Sequence, residues 1–323
     1  MDCPVFAQYQ PALSCFSAQN QHLILRYLTG LAARHYADTT LSAVVTTLNA
    51  LIRHLPGRRQ VVLTDDITRT TAQDITDFIT AAQSAGLAPT TINTKLSILT
   101  GFFEHLREEG QMLHQPVLRR RHRLLTPTVL PKPMPDTDLI AFFQVIDSVR
   151  DRLIFLLMLR CGLRVSEVCA LSWDAIDLSA GTVRITRGKG QVDRIVYLSP
   201  DVTQALEVWR NHHTPGRYLF PSRTHTKDHL SRYQINVLMD QYLGAAGLTR
   251  HYSPHCLRHT FATQLLNAGV PLEVLKELMG HHSIQITLRY TQLYDATKRH
   301  QYEQAMTKIA QRQAASGGKH GTP

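Results

Sequence analysis

The stretch SPHCLRHTFATQLL, residues 253–266, carries clear helix-start signals. Ser253 suits the N-cap, and Pro254 suits the first helical position, where its missing N–H is not needed. The helix is expected to stop near Gly269, and a second helix is expected to open at Pro271. The sequence therefore predicts a pair of consecutive helices late in the chain, the second of them closed by the next glycine.

The same stretch gathers cationic and imidazole side chains. His255, Arg258 and His259 are three or four positions apart, so they lie near one face of the helix and can act on one target. Two histidines four apart are a usual zinc pair, but the metalloprotease pattern needs a glutamate where this chain has Cys256. Histidines that face solvent or pack in the core are the ordinary alternative, and the stretch alone leaves it open.

Length and composition restrict the class of protein. The chain has 323 residues, 43% of them hydrophobic, which is too long for one ordinary domain. Its formal net charge of +10 favours a polyanionic partner, most often nucleic acid. Five scattered cysteines without a CxxC pair argue against a disulfide framework or a zinc finger. No apolar run reaches membrane-spanning length and no signal peptide is evident, so a soluble, cytoplasmic protein without membrane association is expected.

Four amphipathic helices are predicted in the first third of the chain. Apolar residues recur every three or four positions in residues 19–32, 38–55, 70–86 and 88–110. Asp38 and Thr39 are candidate N-caps of the second helix, and Thr71 with Asp74 has the spacing of a capping box. Short connections between the helices predict a small all-α domain.

The chain changes character over residues 113–135, where five prolines surround a basic run of Arg119, Arg120, Arg121 and Arg123. Proline at this density blocks regular helix, so we interpret the segment as an interdomain linker. The basic run is either a solvated hinge or a strap along phosphates. The expected organisation is an irregular N-terminus (1–17), a helical domain (18–112), this linker, a second domain (136–312) and a disordered tail (313–323).

Two patterns in the second domain place cationic residues at the ends of elements. Residues 151–173 are apolar nearly all round, as in a buried helix pair, and are broken at Gly162 just before Arg164. Residues 181–199 predict a β-hairpin, in which Val183 and Ile185 alternate before a turn through residues 187–190 and Ile195 and Tyr197 resume the alternation after it. Lys189 is thereby expected on the turn.

These residues are candidates for one site. Arg164, Lys189 and Arg258 are joined by His281 and Tyr290 of the stretch MGHHSIQITLRYTQ, and each lies near the end of an element, where side chains can converge. Two arginines suit a phosphate, since a guanidinium binds two oxygens at once and stays charged at physiological pH. The expected target is a phosphodiester.

At these motifs the sequence resembles the tyrosine site-specific recombinases, the phage integrase family, and especially its bacterial Xer-like members. The resemblance rests on residues 162–167, 188–190, 253–259 and 279–281 and on Tyr290, nine residues beyond His281. It covers about residues 18 to 300. Met279 stands where leucine is usual, His282 makes a double histidine, and Gln292 replaces a frequent histidine.

The resemblance implies a mainly α fold with a small antiparallel β-sheet, divided into an N-terminal helical core-binding domain and an α+β catalytic domain. It implies that Tyr290 attacks a scissile DNA phosphate to give a 3′-phosphotyrosyl link. Arg164 and Arg258 would stabilise the phosphoryl oxygens, Lys189 would protonate the leaving 5′-oxygen, His255 would assist proton transfer and His281 would bind a phosphoryl oxygen. Glu167 would be a structural partner of a site cation and His259 a supporting residue, with no metal or small cofactor.

The partners that the resemblance implies are double-stranded DNA with a specific recombination site and three further copies of the chain in a homo-tetramer on that DNA. Late in the chain, an apolar stripe predicts a C-terminal helix, formed by Tyr302, Met306, Ile309 and Ala310. This stripe packs either on its own domain or, as the resemblance implies, on a neighbouring subunit. An accessory protein is left open. Integration, excision, transposon resolution and chromosome-dimer resolution all stay open as biological roles. Two alternatives are a type IB topoisomerase-like enzyme and a catalytically silent DNA-binding regulator on the same scaffold.

Overall fold

The structure is a computed structural model that describes residues 8–55, 57–126, 132–186, 193–212, 216–222, 228–280 and 306–307. The chain divides into two compact units, residues 1–128 and 129–323. The described residues form mostly α-helices, together with one small three-stranded antiparallel sheet. This composition confirms the predicted mainly α fold class.

The regular secondary structure among the described residues of the first unit is helical. Its helices are α1 (Gln10–Leu13), α2 (Ala18–Ala33), α3 (Asp38–Arg53), α4 (Gly57–Asp65), α5 (Ala72–Ser84), α6 (Pro89–Glu108) and α7 (Arg119–His122). The four predicted helices correspond to α2, α3, α5 and α6. Their apolar faces meet in a single core that includes Leu28, Leu48, Phe78 and Phe102, each 0% exposed.

Capping residues fix where these helices begin. Before α5, the Asp74 backbone N–H donates to the Thr71 hydroxyl (3.3 Å) and the Thr71 N–H donates to the Asp74 carboxylate (2.8 Å), which confirms the capping box. The N-cap prediction for α3 was wrong, because the cap is Ala37 and Asp38 is already the first helical residue. A carboxylate in the first turn still interacts favourably with the helix dipole.

Helix α4 was not predicted from the sequence. Its apolar residues are the consecutive positions 61–63, which show no helical period. Tertiary contacts stabilise it instead, since Leu63 is 0% exposed and the buried Asn20 side chain donates to the carbonyls of Leu63 (2.9 Å) and Thr64 (2.8 Å).

The first part of the predicted linker packs on the first unit. Val117 is buried, and the Asn93 side chain both donates to the Leu124 carbonyl (2.8 Å) and accepts from its N–H (3.0 Å). Helix α7 lies between these two anchors, although the prolines around it had argued against regular helix. The limits of the linker itself, residues 113–135, stay a prediction.

Among its described residues, the second unit combines seven α-helices with the sheet. The helices are α8 (Asp136–Gln144), α9 (Val149–Arg160), α10 (Val165–Cys169), α11 (Pro200–His212), α12 (Arg232–Ala245), α13 (Pro254–Asn267) and α14 (Leu272–Met279), and the strands are β1 (Ile176–Asp177), β2 (Thr182–Ile185) and β3 (Arg194–Tyr197). Helix α9 is central, with Leu153, Ile154 and Phe155 each 0% exposed. The predicted helix pair broken at Gly162 is thus α9 and α10.

The hairpin pairs β2 with β3, but its second strand faces the other way from the expected alternation. Val183 pairs with Val196 and Ile185 pairs with Arg194. Residues directly opposite in an antiparallel pair share a face, so Arg194 and Val196 point inward. Ile195 lies outward and is 54% exposed. The register is a long-range property that local alternation does not determine.

The two late helices begin and end as predicted. Ser253 is the N-cap of α13 and Pro254 is its first residue. Pro271 precedes α14, and Gly280 ends it in the left-handed conformation (φ 57°), where a residue without a Cβ is favoured.

Candidate active site

The site begins at Gly162, where the chain leaves α9. Its φ of +63° is favourable only for glycine, and a Cβ there would lie 2.5 Å from two ring atoms of Phe261 on α13. The two elements can therefore approach closely, and the Gly162 carbonyl accepts a hydrogen bond from the Arg258 guanidinium. This tight turn brings the first motif of the site next to the third.

Glu167 is the carboxylate on which the arginines meet. It accepts from the backbone N–H of Arg164 (2.8 Å) and from the Arg164 guanidinium (2.7 Å). It also receives both terminal nitrogens of Arg194, at 2.8 and 2.7 Å, and lies 3.9 Å from Nη1 of Arg258. Three guanidinium groups from distant parts of the chain thus surround one carboxylate.

The C-terminal end of α14 forms the other side of this cluster. The carbonyls of three consecutive residues, Leu278, Met279 and Gly280, accept hydrogen bonds from Arg194 (2.8 Å), Arg258 and Arg164 (3.1 Å), respectively. The last carbonyls of a helix lack intrahelical partners and carry partial negative charge. The helix end is therefore a favourable place for cations.

Burial differs among the three arginines. The side chain of Arg164 is 28% exposed, whereas those of Arg194 and Arg258 are 6% and 3% exposed. Buried charges need partners, and the Glu167 carboxylate with the helix carbonyls supplies them. Arg164 is the member of the cluster that reaches solvent.

The pKa of Glu167 reflects these partners. Burial by itself would raise the pKa of its carboxyl, but the hydrogen bonds and charges of Arg194 and Arg164 outweigh burial and lower the pKa to about 2. Glu167 is therefore ionised at neutral pH. With three guanidinium groups around it, the cluster retains net positive charge.

Two histidines of α13 lie beside the cluster. The rings of His255 and His259 stack with centroids 5.7 Å apart, which confirms their common face. Desolvation, followed by the charges of His255 and Arg258, lowers the pKa of His259 to about 4. Desolvation and the charges of Arg258 and Arg164 also lower the pKa of His255, whose side chain still reaches solvent. Both imidazoles are neutral at neutral pH.

The structure brings together some of the predicted site residues. Arg164 and Arg258 meet at Glu167, and His255 is close enough to feel the charge of both. Lys189, His281 and Tyr290 lie outside the described residues, so their places in the site stay predictions.

Arg194 is a site residue that the sequence analysis missed. It lies in a strand where hydrophobic alternation had assigned the inward positions to Ile195 and Tyr197. A usable signal existed, because placing Val196 inward on the hairpin requires Arg194 to be inward as well. A buried arginine in a strand then needs a carboxylate partner.

A second group of arginines lies in the first unit, on residues 119–123, here called the arginine turn. Its four arginines are exposed. The buried His122 between them accepts from the Leu118 N–H at Nδ1 (3.0 Å) and lies 3.3 Å from the Thr76 hydroxyl at Nε2. A groove of about 340 Å³ separates the turn from α6. The turn presents several positive charges on a fixed backbone.

Within the described residues, no group of three or more His, Cys, Asp or Glu side chains is arranged to hold a metal ion. None of the described helices is both long enough and apolar enough to cross a bilayer.

Both units match family models. Residues 136–297 match the phage integrase family, and residues 24–110 match the N-terminal SAM-like domain of phage integrases. The two matches fall in the two compact units of the structure.

Relatives of known name agree with these matches. Tyrosine recombinase XerA of Pyrococcus furiosus is 33% identical over 229 residues, which cover 69% of this chain and 77% of that protein. Tyrosine recombinase XerC of Xanthomonas campestris pv. campestris is 29% identical over 266 residues, 80% of each chain.

Solved structures share the fold. The Tn1549 transposon integrase in complex with a circular intermediate DNA aligns with a TM-score of 0.66 at 19% identity, covering 83% of this chain and 94% of that one. A lambda integrase dimer bound to a core site aligns with a TM-score of 0.65 at 19% identity, covering 82% and 96%. Since a family model spans about half of the chain and a relative above 30% identity spans more than two thirds of it, the chain belongs to the phage integrase family and is a tyrosine recombinase.

Proposed function

We propose that this chain is a site-specific DNA recombinase that cleaves and rejoins strands through a 3′-phosphotyrosyl intermediate at Tyr290. The observation that carries the proposal is the meeting of Arg164 and Arg258 at one carboxylate, Glu167, with a net positive charge left over. Such a cluster suits a phosphodiester, whose transition state gains negative charge on its non-bridging oxygens.

The proposed step is a transesterification. The Tyr290 hydroxyl oxygen bonds to the scissile phosphorus and gives up its proton, the bond from phosphorus to the 5′-oxygen breaks, and Lys189 protonates that leaving oxygen. A 5′-hydroxyl of the partner strand then reverses the step, by way of a four-way junction. A phenol has a pKa of about 10, so nearby cations are needed to make its ionisation easier.

The two arginines receive different roles from their burial. Arg164 reaches solvent, and we assign it to direct contact with the phosphate. Arg258 is nearly buried beneath it and stabilises the developing charge from within the protein, where electrostatic interactions are less screened. Losing a preorganised donor of this kind typically lowers the rate about 10²- to 10³-fold.

The histidines are assigned to proton movement and phosphate binding. The lowered pKa of His255 leaves its ring neutral, so it can accept a proton from the attacking phenol. His281 donates to a phosphoryl oxygen. His259 stacks on His255 and supports its orientation.

Duplex DNA with a specific recombination site is the proposed substrate. The arginine turn binds backbone phosphates as a strap, which its exposed arginines and anchored backbone favour over a solvated hinge. Four copies assemble on two sites, and the C-terminal helix docks into a neighbouring subunit. Met306, one of the residues of the predicted apolar stripe, is 45% exposed. An accessory protein and a role in transposition are compatible with this scheme.

The nucleophile is tested by trapping it. Duplexes that bind the full-length chain are selected from a random-sequence pool, nicked beside each candidate cleavage position, incubated with protein and denatured. We expect a covalent protein–DNA adduct that maps to Tyr290 and is absent from Tyr290→Phe, while DNA binding is kept. Tyr294→Phe is the matched control and keeps the adduct. An adduct that persists in Tyr290→Phe contradicts the assignment.

The same reagents separate the alternatives. Strand exchange between two selected sites supports a recombinase, whereas relaxation of supercoiled DNA without exchange supports a topoisomerase-like enzyme. Binding without any adduct from the wild-type chain supports a silent regulator.

A further inference from the structure

Arg194 makes more contacts within the cluster than its place in a strand would suggest. Its Nε donates to the Leu278 carbonyl (2.8 Å), Nη1 donates to one Glu167 oxygen (2.8 Å) and Nη2 to the other (2.7 Å). Every nitrogen of the guanidinium is thus used. The planar fork matches the carboxylate in the bidentate geometry that lysine cannot provide.

These contacts join three segments that are far apart in the sequence. Arg194 begins β3, Glu167 lies on α10, and Leu278 lies in the last turn of α14. Lys189 precedes Arg194 by five residues, and His281 follows Leu278 by three. The side chain therefore fixes the relative positions of β3, α10 and the end of α14.

Glu167 transmits this constraint to the other arginines. The oxygen that receives Nη1 of Arg194 also receives the Arg164 guanidinium (2.7 Å), and the oxygen that receives Nη2 lies 3.9 Å from Arg258. A carboxylate held on both oxygens cannot rotate without breaking two charge-assisted hydrogen bonds. Its orientation sets the orientation of both proposed phosphate-stabilising groups.

We propose that Arg194 is a positioning residue for strand cleavage, which acts through Glu167 to hold Arg164 and Arg258 in the orientation that the scissile phosphate requires. The inference rests on the proposed function. Because Arg194 is only 6% exposed, the proposal gives it no contact with the DNA.

The charge of Arg194 predicts a second effect, on the protonation of Glu167, in addition to the geometric one. The charged groups that face Glu167 among the described residues are Arg164, Arg194 and Arg258. Without Arg194, burial of the carboxyl is opposed by fewer cations, so the pKa of Glu167 rises from its present value of about 2. A protonated Glu167 loses its ion pairs, and the remaining arginines lose their common anchor.

The experiment measures single-turnover formation of the Tyr290 adduct on the selected nicked duplexes between about pH 5 and 8. The variants are Arg194→Gln, Arg194→Lys, Glu167→Gln and the double variant Arg194→Gln/Glu167→Gln. Arg184→Gln is the matched control, since Arg184 lies in the neighbouring strand β2 with its side chain exposed. DNA affinity and thermal unfolding are measured for each protein.

We expect Arg194→Gln to slow adduct formation about 10²-fold, as a displacement of about 1 Å can, with DNA affinity within about twofold of wild type. The loss grows as the pH falls, and this extra pH dependence is absent from the double variant. The double variant is about as slow as Glu167→Gln alone, because residues acting through one another are not additive. Arg194→Lys is also slowed, although it keeps the charge. Arg184→Gln cleaves like wild type.

Three outcomes overturn the inference. The first is a wild-type rate of adduct formation by Arg194→Gln. The second is a double variant whose loss of rate equals the product of the two single losses. The third is a wild-type rate of adduct formation by Arg194→Lys. If Arg194→Gln does not fold, the test rests on Arg194→Lys. A wild-type rate of adduct formation by Arg194→Lys would rule out a role for the planar guanidinium. Absence of a Tyr290 adduct from the wild-type protein contradicts the proposed function instead.

Discussion

In the first unit the arginine turn carries its positive charges in solvent, whereas in the second unit Arg194 and Arg258 are nearly buried. The exposed arginines lie on a backbone anchored by His122 and Asn93. The buried ones are held by a carboxylate and by helix carbonyls. Exposed arginines can follow a flexible phosphate backbone, but they have no fixed direction. Buried and paired arginines have a fixed direction, and they depend on every partner being present.

Of all the substitutions considered, removal of the Glu167 carboxylate is expected to have the largest effect on the buried arginines. Glu167→Ala leaves Arg194 and Arg258 buried without their anion, and removal of one partner of a buried pair costs about 3–5 kcal/mol. We expect a loss of this size in the free energy of unfolding measured by urea denaturation.

Glu207→Ala is the matched control for this loss. Glu207 is an exposed glutamate on α11, and we expect its replacement to change stability by no more than about 0.5 kcal/mol. Equal effects of the two substitutions would mean that the cluster does not stabilise the second unit.

Gly162→Ala tests whether close packing, rather than charge alone, orients the buried arginines. The new Cβ meets the Phe261 ring at 2.5 Å in a backbone conformation with φ of +63°. Overpacking of this kind costs about 1–3 kcal/mol. Because the Gly162 carbonyl accepts from Arg258, adduct formation is expected to slow as well.

Two variants sharpen this result. Phe261→Leu in the Gly162→Ala background relieves the side-chain contact and leaves the backbone strain, so part of the lost stability returns. Gly244→Ala on α12, with nothing within 4 Å of its Cβ position, is expected to be neutral or to stabilise by up to about 1 kcal/mol. A Gly162→Ala protein as stable and active as wild type would remove the packing argument.

The smallest effect is expected from the exposed arginines of the arginine turn, and it concerns the salt dependence of DNA affinity. The double variant Arg119→Ala/Arg123→Ala removes two proposed phosphate contacts, so the slope of log affinity against log salt becomes shallower by about 2. Adduct formation at saturating protein stays at the wild-type rate. Salt titrations of DNA binding measure the slope.

Arg26→Ala/Arg107→Ala removes the same charge from the first unit. Both of these arginines are already paired, with Glu109 and Glu104, so we expect a smaller change of slope. If the two double variants change the slope equally, the arginine turn is a solvated hinge and not a strap.

The contrast between the units also explains what the sequence could predict. Helical period, the Thr71 capping box and the proline and glycine signals around α13 and α14 depend on neighbours within a few positions, and the structure bears them out. The inward position of Arg194 depends on strand register, which is a long-range property. The burial of Arg258 depends in the same way on α9 and α14 meeting at α13.

Motif spacing found the Arg164 and Arg258 pair because the chemistry of the site fixes residue types at the ends of elements. It did not find Arg194, because the alternation was taken with Ile195 and Tyr197 inward, which turns Arg194 outward. It did not find the carbonyls at the end of α14 either, since every residue has a backbone carbonyl and the sequence does not mark the ones that accept from arginines. For the same reason α4, whose stability comes from Asn20 and the core, was invisible to local pattern.

Helix α14 meets three arginines with three successive carbonyls at its end, and a helix turns by about 100° for each residue. The number of residues in α14 therefore determines which carbonyl faces which arginine. An insertion or deletion of one residue between Leu272 and Met279 would swing all three carbonyls away together, even though every named side chain remained in the sequence. For engineered hybrids of this chain, the crossover point should fall outside that helix.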